Sequence, residues 1–274
     1  MRLALLILPI IIVFALPLSG QINSLEVGEE LVYNVYYGFI KLGEVKFNIT
    51  GRDSIIRNRY FSKAELRSFE GIPFMEVNFI FESEFDYDSK MQYHNNCVYS
   101  VEFNSSEFKK DEMNKRSIFN INYNFIYDSS LIFVKKLQNN NITEESKINI
   151  KKNVRYQDGL SIFYNARLQS LSTKNNFNIP VYINEKESSV KYSFNKNIED
   201  VSIDLVNYDV AVIKIEGRAD FTGVVGLTGE FAGWLSNDNQ RIPIKALFNV
   251  AIGSVKLELA SYKRKNWKPP VFKN

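Results

Sequence analysis

Cysteine and histidine are almost absent from this sequence. Its 274 residues include one cysteine, Cys97, and one histidine, His94. A single thiol cannot form an intramolecular disulfide, so packing must stabilise the fold. A Ser-His-Asp triad, a Cys-His pair and most zinc sites require histidine, and in an extended chain residues 94 and 97 point to opposite faces. The sequence therefore predicts no catalytic residue, no metal site and no cofactor, with His94 in a loop beside a half-buried Cys97.

An excess of charge of either sign is also missing. Lys and Arg total 34 and Asp and Glu total 31, which gives a net charge of +3. Because a nucleic-acid partner requires a concentrated basic surface, this balance predicts none. Apolar residues make up 45% of the chain and aromatic residues 14%, enough for a substantial core.

One apolar run, over residues 3–16, is too short to span a membrane, which takes roughly 20 residues. Arg2 precedes the run, and small residues follow it up to Gly20. Charge, a short apolar core and small residues are typical of a secretory signal. We therefore expect residues 1–20 to be a signal peptide cleaved after Gly20. An uncleaved N-terminal anchor is the alternative.

The residue after this segment bears on membrane attachment. A bacterial lipoprotein signal ends before a cysteine that receives the lipid, whereas this chain has Gln21. We expect residues 21–274 to be exported without lipid, to the periplasm or the medium. There they would be soluble and monomeric, with no stable membrane anchor.

Strict alternation of apolar and polar residues is the dominant pattern of the chain. It covers residues 31–37, 45–50, 79–88, 119–127 and 255–259. Turn-forming residues separate such runs at 38–43, 139–141, 184–186 and 236–239. A period of two predicts half-buried antiparallel strands, about a dozen in all. The predicted fold is mostly β: a curved antiparallel sheet or partly open β-barrel with one packed α-helix.

Residues 158–171 depart from this alternation and have helical spacing. Leu160, Phe163, Leu168 and Leu171 fall on one stripe with Tyr164, and the aspartate at 158 is suited to cap the N-terminus. The helix separates two strand-rich halves. We expect a single β-rich domain over residues 21–274, with two β subdomains, about 21–152 and 153–274, as the alternative.

The predicted helix also carries the first part of a candidate ligand site. Asp158, Ser161, Tyr164 and Arg167 recur every three residues, which places a polar stripe partly around the helix. In the functional interpretation, Arg167 binds an anionic group while the two hydroxyls donate hydrogen bonds. In the structural one, the aspartate caps the helix, the tyrosine packs, and the arginine pairs with a carboxylate.

Trp234 and Arg241 complete the candidate site. They flank a predicted hairpin tip at residues 237–239, where Asp and Asn are favoured for backbone reasons alone. Trp234 could line a pocket or belong to the core, and Arg241 could meet Asp238 across the turn. An acidic stripe over residues 82–88 could bind calcium or supply a glycosidase pair, but a solvated strand face also explains it.

Three stretches, in this order and spacing, resemble a known family. They are residues 28–38 followed by 42–45, residues 158–167, and residues 233–243 followed by 252–255. The resemblance is to the bacterial exported family called domain of unknown function 3108. It spans nearly the whole chain after residue 20. It implies an exported, β-rich envelope protein and no established activity.

Three functions are compatible with these features. A curved sheet with an aromatic-rich inner face can enclose an apolar ligand, so the first hypothesis is a non-enzymatic binding or carrier module for a lipid-like or other apolar envelope molecule. The second is a structural or adaptor protein that docks an envelope protein through sheet edges or loops. A glycan hydrolase is third, because no motif brings a nucleophile, a base and an oxyanion donor together.

Overall fold

The computed structural model describes residues 24–56, 58–72, 76–88, 97–110, 115–223, 229–250 and 253–273. The expected signal peptide, Gln21 and His94 lie outside these residues. The described chain forms fourteen β-strands, one α-helix, α1 (Ser161–Gln169), and a 3₁₀ turn at Tyr127–Ser129. The strands are β1 (Glu30–Tyr37), β2 (Ile40–Arg52), β3 (Arg59–Ser68), β4 (Asn78–Tyr87), β5 (Val98–Lys110), β6 (Arg116–Ile126), β7 (Leu131–Gln138), β8 (Asn141–Asn149), β9 (Asn176–Ile183), β10 (Lys186–Val201), β11 (Val210–Ala219), β12 (Gly229–Ser236), β13 (Pro243–Asn249) and β14 (Ser254–Lys263).

All fourteen described strands belong to one antiparallel sheet. Their order is β8-β7-β6-β5-β4-β3-β2-β1-β14-β13-β12-β11-β10-β9. Consecutive strands pair within β1–β8 and within β9–β14, and the pairing of β1 with β14 joins these two halves of the chain. The sheet edges, β8 and β9, are consecutive in sequence and are linked by the segment that contains α1. The predicted antiparallel β fold with one packed helix is confirmed.

Short turns with left-handed backbone conformations produce this meander. Asn139 and Asn140 have φ values of 51° and 67°, and Asn184 and Glu185 have values of 52° and 60°. Two consecutive residues at positive φ are typical of the type I′ turn, whose twist matches that of the flanking strands. Asparagine tolerates this conformation better than most residues. The turns predicted at 139–141 and 184–186 are therefore confirmed.

The sheet curves strongly enough to bring its two ends together. Tyr182 of β9 lies with its ring centroid 5.2 Å from that of Tyr123 in β6, although the two strands are far apart in the sheet order. The segment around Gln157 fills the space between them. The N–H of Gln157 donates to Pro180 of β9, and the N–H of Ser100 in β5 donates to the carbonyl of the residue before Gln157. Among the described strands β8 and β9 do not pair, so the barrel is not closed.

Alternate residues of each strand point to opposite sides of the sheet, and the side that packs against α1 is the inner face. Phe47 of β2 stacks on Phe163 of the helix at 4.3 Å, and Phe85 of β4 stacks on Tyr164 at 5.3 Å. The buried inner residues of β4–β7 and those of β9–β12 form two separate clusters around the helix. Because burying each large apolar side chain contributes roughly 1.5–3 kcal/mol, these clusters are the main source of stability.

The outer face is polar on most strands but is covered over part of the second half. The N–H of Ala211 in β11 donates to Pro270, and that of Phe272 donates to Asp209, both at 2.8 Å. The C-terminal segment therefore runs beside β11. Ile203 and Trp267 pack there in the cluster that contains the buried valines of β11.

None of the helices in the described residues has the length and apolar character needed to cross a membrane.

Candidate functional site

The helix that carries the predicted polar stripe is shorter than expected and is enclosed by the sheet. It spans Ser161–Gln169, so the first and last residues of the predicted 158–171 segment lie outside it. Asp158, Ser161, Tyr164 and Arg167 are each at most 1% exposed. A ligand could reach these four side chains only if the helix moved. Their contacts are therefore those of interior side chains.

Asp158 is bonded to three serines in a buried cluster. Its Oδ2 accepts from Ser83 and Ser100, each at 2.6 Å, and its N–H donates to Ser161 Oγ at 3.0 Å. Its Oδ1 accepts from the N–H groups of Leu160 and Ser161 at 2.7 and 2.8 Å, which satisfies donors at the start of the helix. Burial raises the pKa of Asp158, against the effect of these hydrogen bonds.

Tyr164 packs in the interior, and its hydroxyl donates a hydrogen bond to the surrounding sheet. Its ring stacks on Phe85, and its hydroxyl donates to the carbonyl of Asn48 in β2 at 3.2 Å. Burial raises the pKa of this hydroxyl, so it stays neutral at physiological pH. Tyr164 therefore fixes one side of the helix to β2.

Arg167 lies in a buried network of charges. Its Nη1 and Nη2 donate to the two carboxylate oxygens of Glu29 at 2.6 and 3.0 Å, and Nη2 also donates to the carbonyl of Ser24 at 2.8 Å. Arg264 donates to the same carboxylate. Burial lowers the pKa of Arg167, but Glu29 outweighs this effect and the net shift is upward. The network links the chain before β1, the helix and the segment after β14.

The structure places Trp234 and Arg241 apart from one another. Trp234 lies on the outer face between Lys214 and Lys245, on the opposite side of the sheet from α1. Arg241 Nη1 donates to Ser236 O at 3.1 Å within its own hairpin. The predicted contact of Arg241 with Asp238 is made by the backbone N–H rather than by the guanidinium.

Of the six predicted residues, only those on and before the helix share one region. Arg241 is connected to it through the neighbouring Gln240, whose carbonyl accepts from Arg167 Nη2 at 3.3 Å. The structural interpretation accounts for the hydrogen bonds and ion pairs of Asp158, Tyr164 and Arg167 described above. A ligand site at these residues stays a prediction.

Several buried polar residues were missed in the sequence. Asn165 Oδ1 accepts from the N–H groups of Cys97 and Val98, both at 3.1 Å, at the start of β5. Gln169 bonds to the hydroxyl of Tyr192, and Glu29 bonds to two arginines. The partners of these residues are distant in sequence. For Asn165 and Gln169 the helical spacing of four is the one local signal, and for Glu29 there is no such spacing.

Cys97 is fully buried rather than half-buried as predicted. Its Sγ lies 3.2 Å from Asn165 Oδ1, and burial raises the pKa of the thiol to about 12. Such a thiol carries almost no thiolate at neutral pH and is a poor nucleophile.

The acidic stripe of β4 is held by ion pairs on the outer face. Arg59 contacts Asp86 at 2.8 Å and Glu84 at 2.9 Å. Burial raises the pKa of Glu84. Among the described residues no group of three His, Cys, Asp or Glu side chains is arranged to hold a metal ion.

A band of half-buried apolar side chains crosses the inner face beyond α1. Direct register partners in an antiparallel pair share a face, so the pairings trace the band from β6 to β12. We call it the inner apolar band; its members are Phe119, Phe79, Leu66, Val35, Leu257, Val255, Phe248 and Phe231.

The band is a long surface. It spans nine neighbouring strands, and at about 4.8 Å for each inter-strand step it extends roughly 38 Å around the curve. Seven of these strands contribute a member; β2 contributes none, and on β5 the charged Glu107 lies between Phe79 and Phe119. Phe231 and Phe248 lie with ring centroids 6.1 Å apart at one end, and Phe79 lies 5.5 Å from Phe81 towards the other. Each member retains some exposed surface. The band can therefore contact a long apolar molecule without any movement of the helix.

A second concavity lies over β9–β12. It is an open groove of about 920 Å³, and its lining includes the charged residues Lys174, Lys191, Glu216, Arg218 and Glu230. The lining also includes Phe177 and Phe231, so this groove meets the inner apolar band at Phe231 but is more highly charged than the band.

Comparisons with known proteins agree with the fold and identify no activity. A family model described as "Protein of unknown function (DUF3108)" matches residues 32–260, which confirms the resemblance seen in the sequence. The curated proteins include no match. The chain is similar to the crystal structure of a β-barrel-like protein of domain of unknown function DUF1849 from Brucella abortus, with a TM-score of 0.55 and 8% identity over 88% of this chain and 99% of that one. At this identity the likeness shows the fold alone.

Proposed function

The chain belongs to the DUF3108 family, whose function is unknown, and from the geometry of its inner face we propose that it is a non-enzymatic binding or carrier module for a lipid-like or other apolar molecule. The inner apolar band is the observation that carries the proposal. Contiguous exposed apolar surface is rare on monomeric proteins outside binding sites. A band bounded by a curved sheet suits a ligand that is long and apolar.

The energetics of the band favour an apolar ligand. Each member of the band is already more than half buried, so completing its burial contributes roughly 0.5 kcal/mol, about a quarter of the value for full burial. Eight such side chains supply roughly 4 kcal/mol, and the apolar surface of the ligand adds to this before the loss of ligand entropy is subtracted.

The interior carboxylates support a non-enzymatic role. Asp158 accepts four hydrogen bonds, and Glu29 is bound by two arginines. Neither side chain is free to accept a proton from a substrate. In addition, neither the family match nor the similar structure indicates a catalytic family.

The proposed place of action is the cell envelope, after export without lipid. Its support is the sequence pattern of residues 1–20 and the absence of cysteine at Gln21. N-terminal sequencing of the protein from a periplasmic fraction tests this directly. A first residue of Gln21 is expected; an intact Met1 in a membrane fraction would contradict it.

Native mass spectrometry with lipid extraction tests the binding function. We expect the protein purified from its own periplasm to carry an apolar molecule at near one-to-one stoichiometry. Phe248→Asp places a charge in the inner apolar band and should abolish this adduct. The matched control is Ile198→Asp, which changes an exposed apolar residue outside the band. An apo mass for the wild-type protein, together with no displacement of a fluorescent fatty acid, contradicts the proposal.

The exposed edge strand β8 favours a second candidate, an adaptor that docks an envelope protein. Most of its residues are exposed, including Ile142, and an edge strand offers unpaired backbone groups for strand addition. Under this alternative Ile142→Asp would abolish capture of an envelope partner, while Phe248→Asp would not.

A further inference from the structure

Along β5 the inner-facing side chains change from charged to apolar, and from this gradient we propose that the ligand is an anionic amphiphile with its head group at Lys109. The inference rests on the proposed function, because the inner apolar band would hold the tail. Lys109 is 56% exposed and Glu107 29%, whereas Phe103, further along the same face, is 8% exposed. Ser105, which lies between Glu107 and Phe103 on this face, is half-buried.

The register places Glu107 within the inner apolar band and Lys109 at its border. Glu107 pairs with Phe79 on one side and Phe119 on the other. Lys109 Nζ lies 3.0 Å from the carboxylate of Glu107 and 5.4 Å from the centroid of the Phe119 ring. A molecule whose tail lies on Phe79 and Phe119 therefore has its head beside the Lys109 ammonium.

The local charges favour an anionic head group. Lys109 lies on the inner face at this end of the β5–β6 pair. Lys110 and its direct register partner Arg116 lie at the same end on the outer face, where they add to the positive potential. The described acidic residues beside them are Glu107 and Glu76. The ammonium of Lys109 has three donors, and it forms an ion pair with Glu107.

The negative charge is the property by which this site would recognise the head group. A fatty acid carboxylate and the phosphate of a single-chain phospholipid are both anionic, and both accept hydrogen bonds from an ammonium. Glu107 is close enough to repel either anion, so its neutralisation should strengthen binding. The inference therefore makes opposite predictions for two adjacent side chains.

The site is tested with two variants of the full chain and three probes. The probes are oleate, oleoyl lysophosphatidylglycerol and uncharged oleyl alcohol, and each competes with a fluorescent fatty acid. Lys109→Gln should weaken anion binding by about two- to fivefold, the range for an exposed ion pair, and leave the alcohol unchanged. Glu107→Gln should strengthen anion binding by a similar factor. Weaker binding of oleate alone identifies a carboxylate head; weaker binding of the phospholipid alone identifies a phosphate.

Lys135→Gln is the matched control. Lys135 also forms an ion pair at 3.0 Å, with Glu145, and is 44% exposed. It lies on the outer face, because its neighbour Lys136 is the register partner of inner-facing Ile121. Equal effects of the Lys109 and Lys135 variants, with all probes still bound, overturn the head-group inference and leave the proposed function intact. Failure of every probe, the alcohol included, overturns both.

Discussion

The guanidinium of Arg167 and the carboxylate of Glu29 form a fully buried ion pair across 138 positions of sequence, with Nη1 and Oε1 2.6 Å apart. Arg264 contacts the same carboxylate and also lies 3.8 Å from the carboxylate of Glu26. Removing the charge of Glu29 would leave the guanidinium of Arg167 buried without its counter-charge. This network holds the helix in the curved sheet.

We expect Glu29→Gln to lower the free energy of unfolding by about 3–5 kcal/mol, the range for a broken buried ion pair. Urea denaturation followed by tryptophan fluorescence measures it. The control is Glu145→Gln, which removes an exposed ion pair with Lys135 and should change stability by less than about 1 kcal/mol. Equal effects of the two variants would show that the buried pair adds nothing.

The ion pair also illustrates what the sequence could and could not predict. The alternation that marks β1, β4 and β6 arises from local packing and is visible in any short window. Glu29 lies in a turn before β1, and nothing local indicates that it is buried. Its partners come from the helix and from the chain after β14, and only the folded sheet brings them together. Long-range polar contacts of this kind leave no periodic pattern.

The candidate site failed to form one cluster for a geometric reason. In an α-helix three residues fall about 60° short of a full turn. Ser161 and Arg167, which are six residues apart, therefore point about 120° away from one another and face different strands. On a surface helix such a stripe could still face one ligand. Here the sheet surrounds the helix: Asp158 and Ser161 both bond to Ser100 of β5, whereas Tyr164 bonds to β2 and Arg167 to the chain before β1. Trp234 alternates with inner-facing Gly233 and Leu235, so its outer position follows once the inner face is known.

Asp158 should make stability depend on pH in a specific direction. Burial raises its pKa in the folded protein above the usual value of about 3.9. The folded state therefore binds this proton more tightly than the unfolded state does. The resulting stabilisation is complete below the unfolded pKa and is lost as the pH rises through the folded pKa.

Comparison with Asp158→Asn isolates this effect from other titrations. The unfolding free energy of the wild type minus that of the variant should increase as the pH is lowered from 8 towards 4. Denaturation curves at several pH values give the difference. A difference that does not change with pH would show that the carboxyl titrates equally in both states.

Gly217 should not tolerate a side chain. An added Cβ would lie 2.4 Å from the carbonyl oxygen of Lys191 and 2.6 Å from Cζ of Phe231. We expect Gly217→Ala to destabilise the protein by about 1–3 kcal/mol, as overpacking generally does. Gly159→Ala is the control, since nothing lies within 4 Å of its added Cβ. Equal midpoints for the two variants in urea would contradict this close approach.

Cys97 should report on the contact between the helix and β5. Its pKa of about 12 leaves a thiolate fraction at pH 8 roughly a thousandfold below that of an ordinary cysteine. A disulfide reagent that absorbs on reaction should therefore modify the native protein at least that much more slowly than the urea-unfolded chain. Asn165→Ala removes the acceptor of the Cys97 and Val98 N–H groups and should accelerate the reaction. Asn120→Ala, on the outer face of β6, should not. If both variants react at the native rate, the bond from Asn165 does not hold the start of β5 against the helix.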